Sequence, residues 1–152
     1  MFLNKRYQQA SAAFLRAGRD REAAICSAYH LREKARSTST TAATARVQAF
    51  IAAADAFFAC ARDSPSKRVS ERLAHYGAAG ECYSEAHDLK NAGNSYLKAE
   101  RFNAAARTYQ EGRYYDKMAE VITKHGNALD GALLERLRRV AQMYYFKVRF
   151  DG

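Results

Sequence analysis

Chain breakers and cross-linking residues are scarce in this sequence. One proline, Pro65, and eight glycines in 152 residues leave long stretches in which nothing interrupts a regular element. The three cysteines, Cys26, Cys60 and Cys82, form an odd, widely spaced set with no CxxC pair. That points away from a disulfide framework or a zinc site and towards free, buried thiols in a reducing compartment. The opening residues Met1-Phe2-Leu3-Asn4-Lys5-Arg6 lack the apolar run of a signal peptide. The most apolar stretch, 42–61, carries Arg46 and Asp55, which argues against a membrane span. No GxxxxGK[ST], GxSxG or GxGxxG occurs, so the phosphate loop, the nucleophile elbow and the dinucleotide turn all lack their motifs. These absences lead to the expectation of a soluble intracellular protein, cytoplasmic or nuclear, that needs no cofactor and has no enzymatic activity of its own.

What is present is helix-forming. Apolar residues make up 48% of the chain and 12% is aromatic, enough to fill a core and too much for a disordered segment. Val47, Phe50, Ile51, Ala54, Phe57, Phe58 and Ala61 recur at three- and four-residue steps, which at about 100° per residue draws one apolar stripe along a helix. Val69, Leu73, Tyr76, Gly80 and Tyr83 repeat the pattern. Ser64-Pro65 between the two suggests a serine cap and a first-turn proline, hence a long antiparallel hairpin.

An internal repeat follows. Tyr83, Tyr96 and Tyr109 are spaced by 13 residues, as are Ala86, Ala99 and Gly112. Thirteen residues hold a three-turn helix and a tight turn, and such units bury their apolar faces only by stacking. A weaker copy, Ala13-Phe14-Leu15-Arg16-Ala17-Gly18, lies near the start. The expected map is eight helices, at 4–17, 20–36, 42–62, 66–86, 88–99, 102–112, 114–125 and 131–149. Asp20, Ser64, Asp88 and Asp130 are the candidate N-caps, and Gly18, Gly112 and Gly126 the candidate C-terminal stops. The fold class is all-α: one helical-repeat domain over 1–152, with a first hairpin at 1–36, a long hairpin at 42–86 and a short-repeat stack at 88–149.

The pattern of small residues, aromatics and Ala/Gly-Arg turns resembles tetratricopeptide-like α-solenoids, which stack antiparallel hairpins with a right-handed twist. The units here are shorter than the roughly 34-residue tetratricopeptide, and its Trp-Leu-Gly signature is missing. More closely, several runs together are similar to a helical region of large fungal proteins. They are Ala28-x-x-Leu31-Arg32-Glu33 with Ala35-Arg36, Ala79-x-x-Cys82-Tyr83, Arg107-x-Tyr109-x-Glu111-Gly112, Glu120-Val121-Ile122-Thr123-Lys124-His125-Gly126, Leu134-Glu135-Arg136-Leu137 and Ala141-Gln142-Met143-x-Tyr145-Phe146-Lys147. Those fungal proteins are related to tetratricopeptide- and ankyrin-repeat proteins bearing a superfamily-1 helicase-like ATPase. The resemblance implies an accessory domain of such a protein, with the parent helicase-like module as one partner.

Lys and Arg number 25 against 16 Asp and Glu, for a formal charge of +9. Residues 1–72 carry +7 of it and residues 73–152 only +2. A basic half suits an acidic partner or serves only as a solvated face. Arg32 and Arg36, and Arg68 and Arg72, each stand one helical turn apart; Arg136, Arg138 and Arg139 cluster near the end, with Lys147 and Arg149 beyond. Guanidinium pairs of this kind match phosphate or carboxylate oxygens. Arg32, Arg36, Arg68, Arg72, Arg136 and Arg139 are therefore the candidate binding residues. Glu81, Glu85, His87 and Asp88 are the closest approach to a metal-ligand set, but His87 falls near a turn and a charged helix end is the better reading, so no metal site is expected. The leading expectation is a scaffold that binds another protein; the alternative is an RNA- or DNA-binding accessory domain. Oligomeric state is open at this point.

Overall fold

A computed structural model describes the backbone of residues 2–151 and the side chains of residues 5–146. Eight α-helices and no strand occur among the described residues: α1 Phe2–Arg16, α2 Asp20–Ser37, α3 Ala43–Arg62, α4 Val69–Glu85, α5 Leu89–Lys98, α6 Phe102–Glu111, α7 Tyr115–His125 and α8 Gly131–Asp151. A single 3₁₀ turn, Gly126–Ala128, separates the last two. Each helix packs chiefly on its neighbours in the chain, from α1 against α2 through to α7 against α8. α2 packs on α3 as well as on α1, so the chain stacks continuously from the first helix pair into the next.

The core of the first half is built on α3, whose Phe50, Ala53, Ala54, Phe57 and Ala61 are buried. Their spacing covers a face wide enough to meet α2 through Ala28 and Ala35 and α4 through Ala79, Cys82 and Tyr83. Small alanines bring the backbones close, and aromatic rings fill the space between. Tyr7, Tyr29, Phe57 and His75, one from each of α1 to α4, form a chain of ring contacts at 5.3, 5.2 and 6.2 Å. Burying a ring such as Phe57, which has 0% exposure, contributes about 1.5–3 kcal/mol. By length and a hydropathy of 1.2, α3 also matches a bilayer-crossing helix. Here it is the central packing helix, with Asp55 bonded to Tyr83 and Arg46 to the end of α2. A second cluster joins Ala105, Ala106 and Tyr109 of α6 to Met118 and Val121 of α7 and to Leu133 and Leu137 of α8.

The 13-residue repeat is a repeat of turns. After α4, α5 and α6 the chain passes through a left-handed residue, respectively His87 (φ 58°), Glu100 (φ 60°) and Arg113 (φ 62°), and after α1 through Gly18 (φ 72°). In all four, the amide one position further on donates to the carbonyl of the unit's aromatic residue. Asp88 donates to Tyr83, Arg101 to Tyr96, Tyr114 to Tyr109 and Arg19 to Phe14, at 2.9, 2.9, 2.8 and 2.8 Å. This is the six-to-one bond of the Schellman motif, which satisfies carbonyls that the helix end would leave bare. The tyrosine is therefore a backbone landmark as well as packing. Its ring then lies on a glycine of the preceding helix, Tyr96 over Gly80 and Tyr109 over Gly93.

Several expected caps are different in the structure. Ser64 does not cap α4, which begins only at Val69; its hydroxyl donates back to the Cys60 carbonyl at 2.7 Å, closing α3 instead. Asp20 is the first residue of α2, and the capping position is Arg19, which makes no side-chain cap bond. Asp88 does cap α5, accepting from the Asn91 amide at 3.3 Å. Gly112 is right-handed (φ −80°), with Arg113 taking the left-handed position, and Gly126 (φ −54°) leads into the 3₁₀ turn. The Ser/Thr stretch at 37–41 is a tied turn: Ser37 and Thr38 donate to the Lys34 carbonyl, and Arg46 Nη1 donates to the carbonyls of Ala35 and Thr38 at 3.3 and 2.9 Å.

Candidate binding groove

Two openings meet along α5. The larger, of about 400 Å³, lies between Phe58 of α3, Tyr83 of α4 and the α5 residues Asn91, Asn94, Ser95, Leu97 and Lys98. The smaller, of about 170 Å³, runs from Asn94 and Leu97 across Tyr109 to Lys117, Glu120, Val121 and Lys124 of α7. Asn94 and Leu97 line both, so together they form one groove crossing α3, α5 and α7.

The repeat places its polar groups. Tyr109 is buried and its hydroxyl donates to Asn94 Oδ1 at 2.5 Å. With that oxygen occupied, the Asn94 NH₂ is presented as a double donor. Burial pushes the Tyr109 hydroxyl up to about 12, so it stays protonated and keeps Asn94 in this orientation. Two units earlier Tyr83 donates in the same way to Asp55, and burial followed by that carboxylate raises its pKa further still. Ser95, next to Asn94, is 0% exposed, lines the larger opening, and its Oγ has no hydrogen-bond partner. With no accessible surface, this hydroxyl lies beneath the groove floor, out of reach of an incoming group, and its missing partner is a local cost to stability.

Lysines flank these donors. Lys98 is exposed beside the Tyr76 ring at 5.8 Å, and Lys117 is near the Tyr109 ring at 6.0 Å. Lys124 bonds Glu120 at 2.6 Å, and that bond holds the Glu120 carboxyl below its usual range. A carboxamide NH₂ and ammonium groups in one strip offer donors to carbonyls and carboxylates, with Phe58, Leu97 and Val121 as apolar footing.

None of the six arginines singled out from the sequence lines this groove. They fall into three separate places. Arg32 and Arg36, on the last turns of α2, border another groove of about 290 Å³ with Arg46, Phe50, Glu81 and Glu85. There Arg32 lies over the rings of Tyr29 and Phe57 at 4.8 and 5.3 Å, and Arg36 pairs with Glu33 at 3.0 Å. Arg68 and Arg72 stand at the other end of the hairpin, where Glu71 takes both Arg21 and Arg68. From Arg21 to Arg32 is about 16 Å along α2 at about 1.5 Å per residue, so the two pairs do not converge. Arg136 and Arg139 are exposed on α8, Arg139 pairing with Glu135 at 2.6 Å. Lys147 and Arg149 lie outside the described side chains.

Other candidates are engaged elsewhere. Glu81 pairs with Arg101 at 2.9 Å, His87 is the exposed left-handed residue and Asp88 caps α5. No three His, Cys, Asp or Glu among the described residues are grouped to hold a metal. Cys82 is buried, and burial raises its thiol to about 11, so it is protonated and a poor nucleophile. His75 stacks on Phe57, buried, its Nδ1 without a partner.

Sequence reasoning missed the groove because it assigned the tyrosines to packing and asked nothing of their partners. The available signal was Asn91, Asn94 and Lys98, polar at three- and four-residue steps on a helix whose other face is Ala92, Gly93 and Ala99. No family model, curated protein or solved structure matches the chain.

Proposed function

We propose that this protein is a non-enzymatic helical scaffold that docks an extended, acidic segment of a protein partner across α3, α5 and α7. The observation that carries the reading is the Asn94 carboxamide, which Tyr109 fixes as a donor where the two openings meet. An extended segment brings unpaired backbone carbonyls to this donor, and acidic side chains to Lys98 and Lys117. Short units stacked in chain order also support the tetratricopeptide-like, right-handed solenoid reading. On that reading, and given the resemblance to fungal helicase-like proteins, the domain is an intracellular accessory module of a larger assembly. Binding of RNA or DNA by the basic half draws less support, since Arg36 and Arg68 are already paired and the two arginine pairs stand at opposite ends of the hairpin.

Asn94→Ala gives the test. Removing the carboxamide donor weakens binding of a short labelled peptide alternating Glu with Gly. Lys98→Glu with Lys117→Glu weakens the same binding by about ten-fold or more. Wild-type protein that ignores the peptide, yet binds a labelled single strand with a steep salt dependence, would replace the protein-docking reading with the nucleic-acid one.

A further inference from the structure

Three arginines gather where the end of α2 meets the start of α3, around the groove of about 290 Å³ that Arg32, Arg36 and Arg46 line. It shares no lining residue with the groove along α5. Arg32 lies over the rings of Tyr29 and Phe57. Arg46 lies over Phe50 at 4.9 Å, and its Nη1 is tied to the carbonyls that close α2. Both guanidinium groups are half-buried and held in place by the protein alone. Arg36 has Glu33 as its partner, but no carboxylate among the described residues pairs with Arg32 or Arg46. Two fixed like charges beside one groove repel each other, and an anion between them relieves that repulsion. The opposite sign comes from α4. Glu81 is taken by Arg101, whereas Glu85 is exposed on the groove and pairs with no cation among the described residues. Arg32 and Glu85 both act on the buried Cys82 thiol, the first lowering and the second raising its pKa, yet they do not pair with each other. Phe50 and Cys82, each 2% exposed, give the groove an apolar base.

We propose that this groove binds a free α-amino acid with an apolar side chain, its carboxylate between Arg32 and Arg46 and its ammonium on Glu85. Only a ligand that carries both signs completes both walls. A phosphate meets Glu85 as a like charge, and a simple amine meets two arginines. A guanidinium fork matches the two oxygens of a carboxylate. The Arg32 Nε is enclosed without a partner, so the carboxylate meets the outer Nη atoms. The ligand's side chain rests on Phe50. Small-molecule sites start at about 300 Å³, so a groove of about 290 Å³ suits a compact molecule better than a chain segment.

The test titrates the full chain by calorimetry with three probes. L-leucine carries both charges, N-acetyl-leucine keeps the carboxylate and loses the ammonium, and leucinamide keeps the ammonium and loses the carboxylate. Leucine is expected to bind about ten-fold or more tightly than either of the others. Glu85→Gln should erase the preference for leucine over N-acetyl-leucine and keep the preference over leucinamide. Arg32→Gln should do the reverse. Glu85 is exposed, so its variant keeps the fold. If the loss of ring stacking unfolds Arg32→Gln, Arg32→Lys retains the charge without the fork and should still weaken leucine binding. Lys98→Glu with Lys117→Glu should leave leucine binding unchanged, which separates failure here from failure of the groove along α5. Leucine bound no more tightly than N-acetyl-leucine would overturn the proposal and leave an anion site only. So would tighter binding of inorganic phosphate than of leucine, or no leucine binding at millimolar concentration.

Discussion

Three left-handed residues that are not glycine, His87, Glu100 and Arg113, sit at equivalent points of the repeat, and the fourth point is occupied by Gly18. A side chain in this conformation brings its Cβ against the following carbonyl, at about 1–2 kcal/mol. All three residues are exposed, and no contact that their side chains make offsets the strain. Substitution by glycine relieves the strain but loosens the unfolded chain, returning about 0.5–1 kcal/mol. The net expectation is a gain of about 0.5–1 kcal/mol at Glu100 and Arg113, and less at His87, because histidine tolerates the left-handed region better than most residues. The sites are 13 residues apart on successive turns, so the gains should add. A triple variant, gaining about 1–2.5 kcal/mol, then melts roughly 2–10 °C higher at about 2–4 °C per kcal/mol for a chain of this size. Gly18→Ala is the reciprocal control. A Cβ there meets nothing within 4 Å, so any loss, about 1 kcal/mol, comes from the dihedral alone. Urea unfolding followed by circular dichroism gives the midpoints, and an unchanged slope confirms that only stability has moved. Glycine variants no more stable than wild type, together with a neutral Gly18→Ala, would refute the account of these turns.

Other positions give sharper contrasts. Gly93→Ala places a Cβ 2.4 Å from the Tyr109 ring and should cost about 1–3 kcal/mol as overpacking, whereas Gly131→Ala, with open space around it, should be near neutral by the same unfolding assay. Tyr109→Phe removes the donor that orients Asn94; it should cost about 1 kcal/mol and weaken binding of the acidic peptide, which titration with that peptide will detect. His75 is buried and its pKa is lowered from the ordinary 6.5, first by burial and then by Arg21, with Glu71 opposing. The unfolded state therefore takes up the proton first, so stability falls as pH drops below about 6.5, by at most about 1.4 kcal/mol per pH unit from this group. His75→Leu should flatten that limb of a urea-midpoint against pH series, and an unaltered limb would assign the dependence to other groups.

The all-helical class was legible in the chain because apolar residues at three- and four-residue steps, with a single proline to interrupt them, have no other regular solution. Helix positions followed to within a few residues, and the 13-residue period located the stacked units before any coordinates. The cap assignments were less secure. Ser64 binds backwards to Cys60 and Gly112 stays right-handed, since which hydroxyl caps and which residue turns depend on how the next helix is aimed.

The binding surfaces came from the tertiary structure alone. Arg32 and Arg68 look alike in sequence, each one turn from another arginine, yet Arg32 is stacked on rings towards the end of α2 while Arg68 is paired with Glu71, which meets Arg21 near the start of α2. Ser95 and Asn94 are ordinary small polar residues until Tyr109, fifteen residues on from Asn94, fixes the carboxamide and the closing helices strip water from the serine. A periodic pattern records which face of a helix avoids water, and it is a property of neighbours along the chain. Whether a polar group is satisfied, and what lies opposite a cation, depends on residues far apart in sequence, which only the stacking of α3 through α7 brings together.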